Sequence, residues 1–232
     1  MKNLLLAKMQ MVLEMLAQSG KVSINELSEK LNIPLPTLSR LISDMCEMKL
    51  IEKINYYQVA PAAGMIRFGE CARKNSFLVQ NATPILKRYA EKVQMNFSLA
   101  AFDNNTMFNL YTTGISDNNN NLIWDSGLAL VLMERAKLDD AGCVRLFRAN
   151  HPGCTETDQM IFEREMDSVR QSRTVFRTNT MRRWSCAYSF VYRDLVCGFC
   201  IFGQAPENRS REKFVLDCAM VLSQIKSALN EE

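Results

Sequence analysis

The chain has 232 residues, of which 47% are hydrophobic and 23% charged, with a formal net charge of +3. This composition excludes a disordered chain, and the length allows one large domain or two modest ones. No run approaches the ~18 consecutive apolar residues of a membrane-spanning helix.

The distribution of charge says more than its sum. The first hundred residues carry thirteen Lys or Arg against eight Asp or Glu, and the remainder fifteen against seventeen. A basic first part and a slightly acidic remainder fit a nucleic-acid-contacting module joined to something else. Within residues 1–60 the balance is only seven against six, so charge alone carries little.

The opening MKNLLLAKMQMVLEML has the Lys-then-Leu start of a signal peptide, but Lys8, Gln10 and Glu14 interrupt the apolar stretch. Leu5, Met9, Val12, Leu13 and Leu16 recur at helical spacing instead, which predicts an amphipathic helix over 3–18. A cytosolic protein is expected, with its eight cysteines reduced. Ser19-Gly20 ends the first helix. Ser23 then stands three residues before Glu26 at capping-box spacing, and Ile24, Leu27 and Leu31 give the second helix a buried stripe.

A turn at Asn32-Ile33-Pro34 leads into a third helix ending near Lys49. Its apolar positions, Leu38, Leu41, Ile42, Met45 and Met48, gather on one side. Pro36, Ser39, Arg40, Ser43 and Glu47 are left on the other. Two prolines in a first turn break no hydrogen bond, because the first N–H groups of a helix have no internal partner. A residue before proline is pushed out of the α region, so Leu35 should stay outside and the regular helix should begin at Pro36. LIEKINYYQVAP follows as two short β-prone runs around Asn55, a small hairpin or wing.

Two short helices joined by a tight turn, with a helix ahead and a hairpin behind, make a winged helix-turn-helix pattern. A plain three-helix bundle uses the same periodicities. Residues 61–95 read as a connector carrying Arg67, Arg73 and Lys74, with a longer helix around TPILKRYAEKVQ that Pro84 should start or kink. Beyond it, Phe97–Phe102 and Met107–Thr113 read as strands around a turn at Asp103-Asn104-Asn105, and Asp117 with the asparagines at 118–121 as a polar loop. Ser126 is expected to open a helix to about Leu138, with helical runs near 140–149 and 158–172. Strands near 173–179, 186–192 and 195–203 precede a last helix from Ser210 to Leu229. The mixture predicts an α+β domain.

In that order the chain resembles the isocitrate lyase regulator (IclR) family of bacterial transcription factors over nearly its whole length. The resemblance is carried by GKVSINELSEKLNIPLPTLSRLISDM with KLIEKINYYQVAP, by FLVQNATPILKRYAEKVQMNFSLAAFDNNTMF, and by VCGFCIFGQAP. It implies a winged helix-turn-helix over 1–60, a linker helix over 61–76 used in dimerisation, and a GAF-like α+β effector and oligomerisation domain over 77–232. The implied function is transcription regulation through double-stranded DNA by a homodimer or dimer of dimers. Control by a small-molecule effector is implied too, with no cofactor, metal, membrane or enzymatic activity.

The departures from the family are specific. Pro34, Leu35 and Pro36 stand where the family has Ser, a basic or polar residue, and Ser before the position of Thr37. A Gly-Lys-Ala helix opening becomes Gly127-Leu128-Ala129. An Ala-x-Pro-Val strand becomes Ala187-Tyr188-Ser189-Phe190, and a Gly shortly before it becomes Arg182.

Candidate DNA-contacting residues are Ser23, Leu35, Pro36, Thr37, Ser39, Arg40, Ser43, Lys53, Asn55 and Tyr56, with Tyr57 beside them. Arg40 is the strongest, since a guanidinium bonds guanine O6 and N7 bidentately or clamps a phosphate. Its bland alternative is a surface charge or an ion pair with Asp44. Asp44 and Glu47 would repel phosphates, so the C-terminal half of the helix should point away.

Candidate effector-binding residues, placed by the resemblance, are Asp125, Ser126, Gly127, Arg182, Trp184, Ser185, Tyr188 and Ser189, with Arg182 or Arg183 pairing a carboxylate. The alternative is a cavity filled by Leu128, Tyr188 and Phe190, leaving an effector-independent regulator or a protein-interaction module. Cys197 and Cys200 form a CxxC, but residues three apart on a strand face opposite ways, which predicts a buried pair and no shared metal. His151, the only histidine, reads as a solvated loop residue near Cys154, with too few neighbours for a zinc site. The chain shows no paired carboxylates, nucleophile–base set, phosphate loop or GxSxG that an enzyme reading needs.

Overall fold

The structure is a computed structural model and describes residues 4–114, 123–207 and 209–230. The polar loop expected at 117–121 lies outside them. Two compact units meet in sequence between Asn75 and Ser76.

The first unit opens with helix α1 (Leu4–Ser19), followed by β1 (Val22–Ser23), α2 (Ile24–Leu31), α3 (Leu35–Glu47), β2 (Ile51–Lys53), β3 (Gln58–Pro61) and α4 (Ala63–Asn75). Gly20, at φ +71°, ends α1. Val12 and Leu16 of α1 are fully buried and Met9 and Leu13 partly so, but Leu5 is exposed, one turn beyond the reach of the core. The Ser23 side chain accepts from the Glu26 amide and caps α2. Asn32 closes the same helix in the left-handed region, at φ 51°. Leu27, Ile33, Leu38, Leu41, Ile42 and Met45 then pack with Ile51 and Val59 into one core, each fully buried side chain contributing ~1.5–3 kcal/mol.

The sheet has order β1-β3-β2, all antiparallel, with Val59 opposite both Val22 and Lys53. This third strand distinguishes a winged helix from a plain three-helix bundle. Met48, expected on the buried side of the third helix, is exposed, because the helix ends at Glu47 and the chain turns away.

Helix α3 begins one residue earlier than the proline pattern predicts. Pro34 is its N-cap, extended at φ −56° and ψ 136°, and its carbonyl accepts from the Leu38 amide at 2.9 Å. Leu35 is therefore helical despite preceding Pro36. Burial of Leu38, Leu41 and Ile42 one turn later outweighs the pre-proline bias.

The second unit comprises α5 (Phe77–Val93), β4 (Asn96–Asp103), β5 (Thr106–Thr112), α6 (Leu128–Arg135), α7 (Asp140–Asn150), α8 (Glu156–Ser172), β6 (Thr174–Thr178), β7 (Arg183–Tyr192), β8 (Leu195–Gln204) and α9 (Arg211–Ala228). Its five strands form an antiparallel sheet of order β5-β4-β8-β7-β6. Helices α5 and α9 cover one face through Leu86, Ala90, Phe214, Cys218 and Ile225 against Phe97, Leu99, Phe199 and Ile201. Helices α6 and α8 cover the other through Leu128, Leu132, Phe162 and Met166 against Ala100, Ala187 and Cys200. The domain is α+β in three layers.

Local chemistry moves several expected boundaries. Helix α5 starts at Phe77, capped by Ser76, and runs through Pro84, which neither starts nor ends it. The helix expected from Ser126 opens at Leu128. Gly127, at φ +77°, caps it where an added Cβ would lie 2.4 Å from Val175 Cγ1. It stops at Arg135, with Lys137 left-handed beyond it. Cys197 and Cys200 are fully buried in opposite layers, as the strand alternation requires. Cys143, Cys186 and Cys218 are buried too, Cys46 and Cys154 are partly covered, and Cys71 on α4 is exposed.

His151 is not a solvated loop residue. It caps α7, its ring stacked on Phe147 at 4.5 Å and edge-on to Trp124 at 5.1 Å.

Candidate nucleic-acid interface and effector cavity

The helical period of α3 separates a buried stripe from a polar face. Thr37, Ser39, Arg40 and Ser43 are exposed, as are Leu35, Pro36, Asp44 and Glu47. Among the described residues Arg40 has no ion-pair partner, so the alternative pairing with Asp44 does not form. A free guanidinium and three hydroxyls on one exposed helix face can bond base edges and phosphate oxygens.

Ser23 is half-buried, and its oxygen is engaged as the cap of α2. In the wing Lys53 and Tyr56 are exposed, whereas the Asn55 side chain is committed to the turn. Its Oδ1 accepts from the Tyr57 amide at 2.9 Å and its Nδ2 donates to Gln58 Oε1 at 3.1 Å.

The second unit holds an open cavity of about 600 Å³ at one end of the sheet. It brings together Asp125, Ser126, Trp184 and Ser185 from the expected set, joined by Arg177, Asn179, Arg183 and Gln204. Ser126 is 4% exposed, and its hydroxyl has no partner among the described residues, so the wall carries an unused buried polar group.

The other expected residues lie elsewhere. Gly127 backs onto Val175 as a cap. Arg182 is exposed in a left-handed turn, its amide bonded to Asn179 O. Tyr188 faces a groove along β6 and donates its hydroxyl to Val215 O at 3.2 Å. Ser189 is buried, its hydroxyl also unpartnered among the described residues. Leu128 and Phe190 are buried at core positions and do not line this cavity.

Arg177 is the functional candidate that sequence reasoning missed. Its Nη1 donates to the carbonyls of Trp124 at 2.7 Å and Asp125 at 3.0 Å, and its Nη2 pairs with Glu165. The signal available was a charge within the apolar run TVFRT, two positions from Val175 and so on the same strand face. Arg177 is thus held by the protein, while Arg183 is exposed with no ion-pair partner among the described residues.

Among the described residues no group of three or more His, Cys, Asp or Glu is placed to hold a metal ion, and no helix is long and apolar enough to cross a membrane.

Comparison with known proteins agrees with this geometry. The model of winged helix-turn-helix DNA-binding domains matches residues 6–52. The whole chain is similar in fold to an IclR family transcriptional regulator from Brucella abortus, at 18% identity and a TM-score of 0.62, covering 97% of this chain and 91% of that one. An IclR homolog from Microbacterium hydrocarbonoxydans, solved with 4-hydroxybenzoate, is similar at 16% identity and a TM-score of 0.52, covering 97% and 99%. An IclR transcriptional regulator from Alicyclobacillus acidocaldarius follows at 12% identity and 0.52, covering 99% and 97%. No curated protein matches at the level of sequence. The chain has the fold of IclR transcription regulators: a winged helix-turn-helix followed by an α+β domain.

Proposed function

We propose that a chain with this fold is a sequence-specific DNA-binding transcription regulator whose second unit senses a small carboxylate. The observation that carries the reading is the exposed face of α3, where Thr37, Ser39 and Arg40 stand free beside a wing. Residues 1–60 serve as the DNA-binding domain, α4 as the linker helix, and residues 77–232 as the effector domain. Helix α4 buries none of its residues and exposes Ile66 and Phe68, which supports its use in pairing two copies. A dimer would set its two recognition helices on half-sites about 34 Å apart or a multiple of that.

The carboxylate class is supported by the unpaired Arg183, the buried Ser126 hydroxyl and the Trp184 wall of the cavity. A neighbour in fold was solved with 4-hydroxybenzoate, a ligand of this class.

The test is selection of genomic fragments by the purified protein, with and without 4-hydroxybenzoate and related small acids, followed by gel-shift titration. A specific shift at moderate salt that an acid alters supports both halves of the reading. A specific shift that no acid alters leaves an effector-independent regulator. No specific shift leaves a protein-interaction module.

A further inference from the structure

Beside the 600 Å³ cavity the second unit has a smaller one, of about 200 Å³, where α7 and α8 meet the segment that leads into α6. Its walls are aromatic. Phe147 stacks on His151 at 4.5 Å and on Phe162 at 4.4 Å, and Trp124 stands steeply across these three planes, at 65°, 86° and 55°. His151 Nδ1 lies 3.0 Å from Phe147 O, a carbonyl that only accepts, so the nitrogen donates and the bond fixes the ring. Trp124 and Phe162 are buried, while Phe147 and His151 are half-buried, so the stack reaches the surface.

Core packing accounts for the rings but not for the charge at their opening. Three carboxylates, Asp125, Asp158 and Glu165, border the cavity against one guanidinium, Arg177. Arg177 is spent on Glu165 and on the carbonyls of Trp124 and Asp125. Asp158 is held in place by the Thr155 amide and hydroxyl. Both Asp125 and Asp158 are exposed, and neither makes an ion pair among the described residues. Two negative charges are therefore left beside ring faces, which themselves attract cations. An anion is repelled on both counts. A metal ion is poorly served too, since among the described residues no three His, Cys, Asp or Glu are placed to hold one.

We propose that this cavity is a second small-molecule site, and that it takes a compact organic cation, an alkylated or quaternary ammonium. At ~30 Å³ per water-sized group the space admits about seven non-hydrogen atoms, the size of choline. The ammonium head lies against Trp124 and the Phe147 stack, where ring faces replace its water, and Asp125 and Asp158 supply countercharge from the rim. A quaternary head donates no hydrogen bond, so it loses nothing against walls that offer it few acceptors. The site depends on neither the DNA-binding nor the small-acid reading, and its ligand is opposite in charge to that of the larger cavity.

The full-length protein is titrated calorimetrically with choline chloride, with sodium chloride at matched ionic strength as the blank. A parallel titration uses the neutral carbon isostere of choline, which has a tert-butyl head in place of trimethylammonium. Choline should saturate the protein below about 10 mM. The isostere should bind about tenfold more weakly, because it keeps the shape and loses the charge. Asp125→Asn should weaken choline about fivefold at an unchanged melting temperature, its side chain being exposed. Phe147→Leu, which keeps apolar bulk and removes a ring, should weaken choline and spare the isostere. Asp125→Asn decides the matter even where Phe147→Leu lowers stability.

Equal affinities for choline and its isostere would overturn the proposal, leaving an apolar pocket without charge selection. Heat that never saturates, or native choline affinity in Asp125→Asn, would overturn it as well. None of these outcomes touches the DNA-binding or small-acid readings, whose test is the gel shift on selected genomic fragments.

Discussion

The amide of Leu38 donates to the carbonyl of Pro34 at 2.9 Å, and this bond sets the phase of the whole exposed face of α3. With the helix starting at Leu35, Thr37 and Arg40 stand three positions apart and share one side, while Leu38 and Leu41 fall into the core.

Arg40→Ala should therefore weaken binding to the selected duplex by ~1–3 kcal/mol and relax base preference at one position of the site. The measurement is anisotropy against a set of single-base variants of that duplex. Thermal stability should stay near the native value, since Arg40 is exposed and makes no ion pair among the described residues. Unchanged affinity and selectivity would remove Arg40 from the reading surface.

Gly127→Ala should destabilise the second unit by about 1–3 kcal/mol, through a left-handed φ and a clash with Val175. Adding Val175→Ala should recover part of that loss, because it relieves the clash and leaves the backbone strain. A double-mutant cycle read by urea denaturation checks this. Additive losses would show that the close approach to Val175 has no energetic consequence.

Arg183→Gln should weaken binding of 4-hydroxybenzoate or another small acid while leaving the melting temperature unchanged. Trp184 lines the same cavity, so quenching of its fluorescence reports occupancy. Arg177→Gln should differ, lowering stability as well as binding, because Arg177 ties Trp124, Asp125 and Glu165 together. Equal effects of the two substitutions on stability would contradict this division.

The start of α8 should show a pH signature. Hydrogen bonds from the Thr155 amide and then its hydroxyl hold the Asp158 carboxyl below its ordinary range. A carboxylate lowered in the folded state contributes stability above its unfolded value, about 4. That contribution is lost as pH falls through the lower folded value. Thr155→Ala should accordingly lower the melting temperature at neutral pH, the difference from native shrinking as the solution is taken below about pH 4. A difference constant across that range would show that the capping box carries no charge-dependent component.

Much of the fold was legible because burial follows period. The stripe of Leu38, Leu41, Ile42 and Met45 and the opposed faces of Cys197 and Cys200 follow from 3.6-residue and two-residue repeats alone. The chain order of strands and helices in the second unit is readable in the same way. What escaped depends on contacts between segments far apart in sequence. Gly127 caps a helix because Val175 lies against it, and His151 is held by Trp124, neither of which a local window contains. The α3 boundary was missed by one residue because a local steric bias yielded to the packing of the next turn. In the candidate cavity, Asp125, Ser126, Trp184 and Ser185 came from resemblance. Arg177 and Asn179 needed the β6–β7 pairing to bring them to the same end of the sheet.

The unequal covering of the cysteines has a practical consequence. A thiol must be reached by solvent and ionise before it reacts, and burial pushes Cys143 and Cys200 up from their ordinary range. Cys71 is exposed on α4, while Cys186, Cys197 and Cys218 are shut inside the sheet layers. A brief maleimide reaction on the unaltered chain should therefore mark α4 first. The native sequence carries its own attachment point for a fluorophore, on the helix where two copies are proposed to meet.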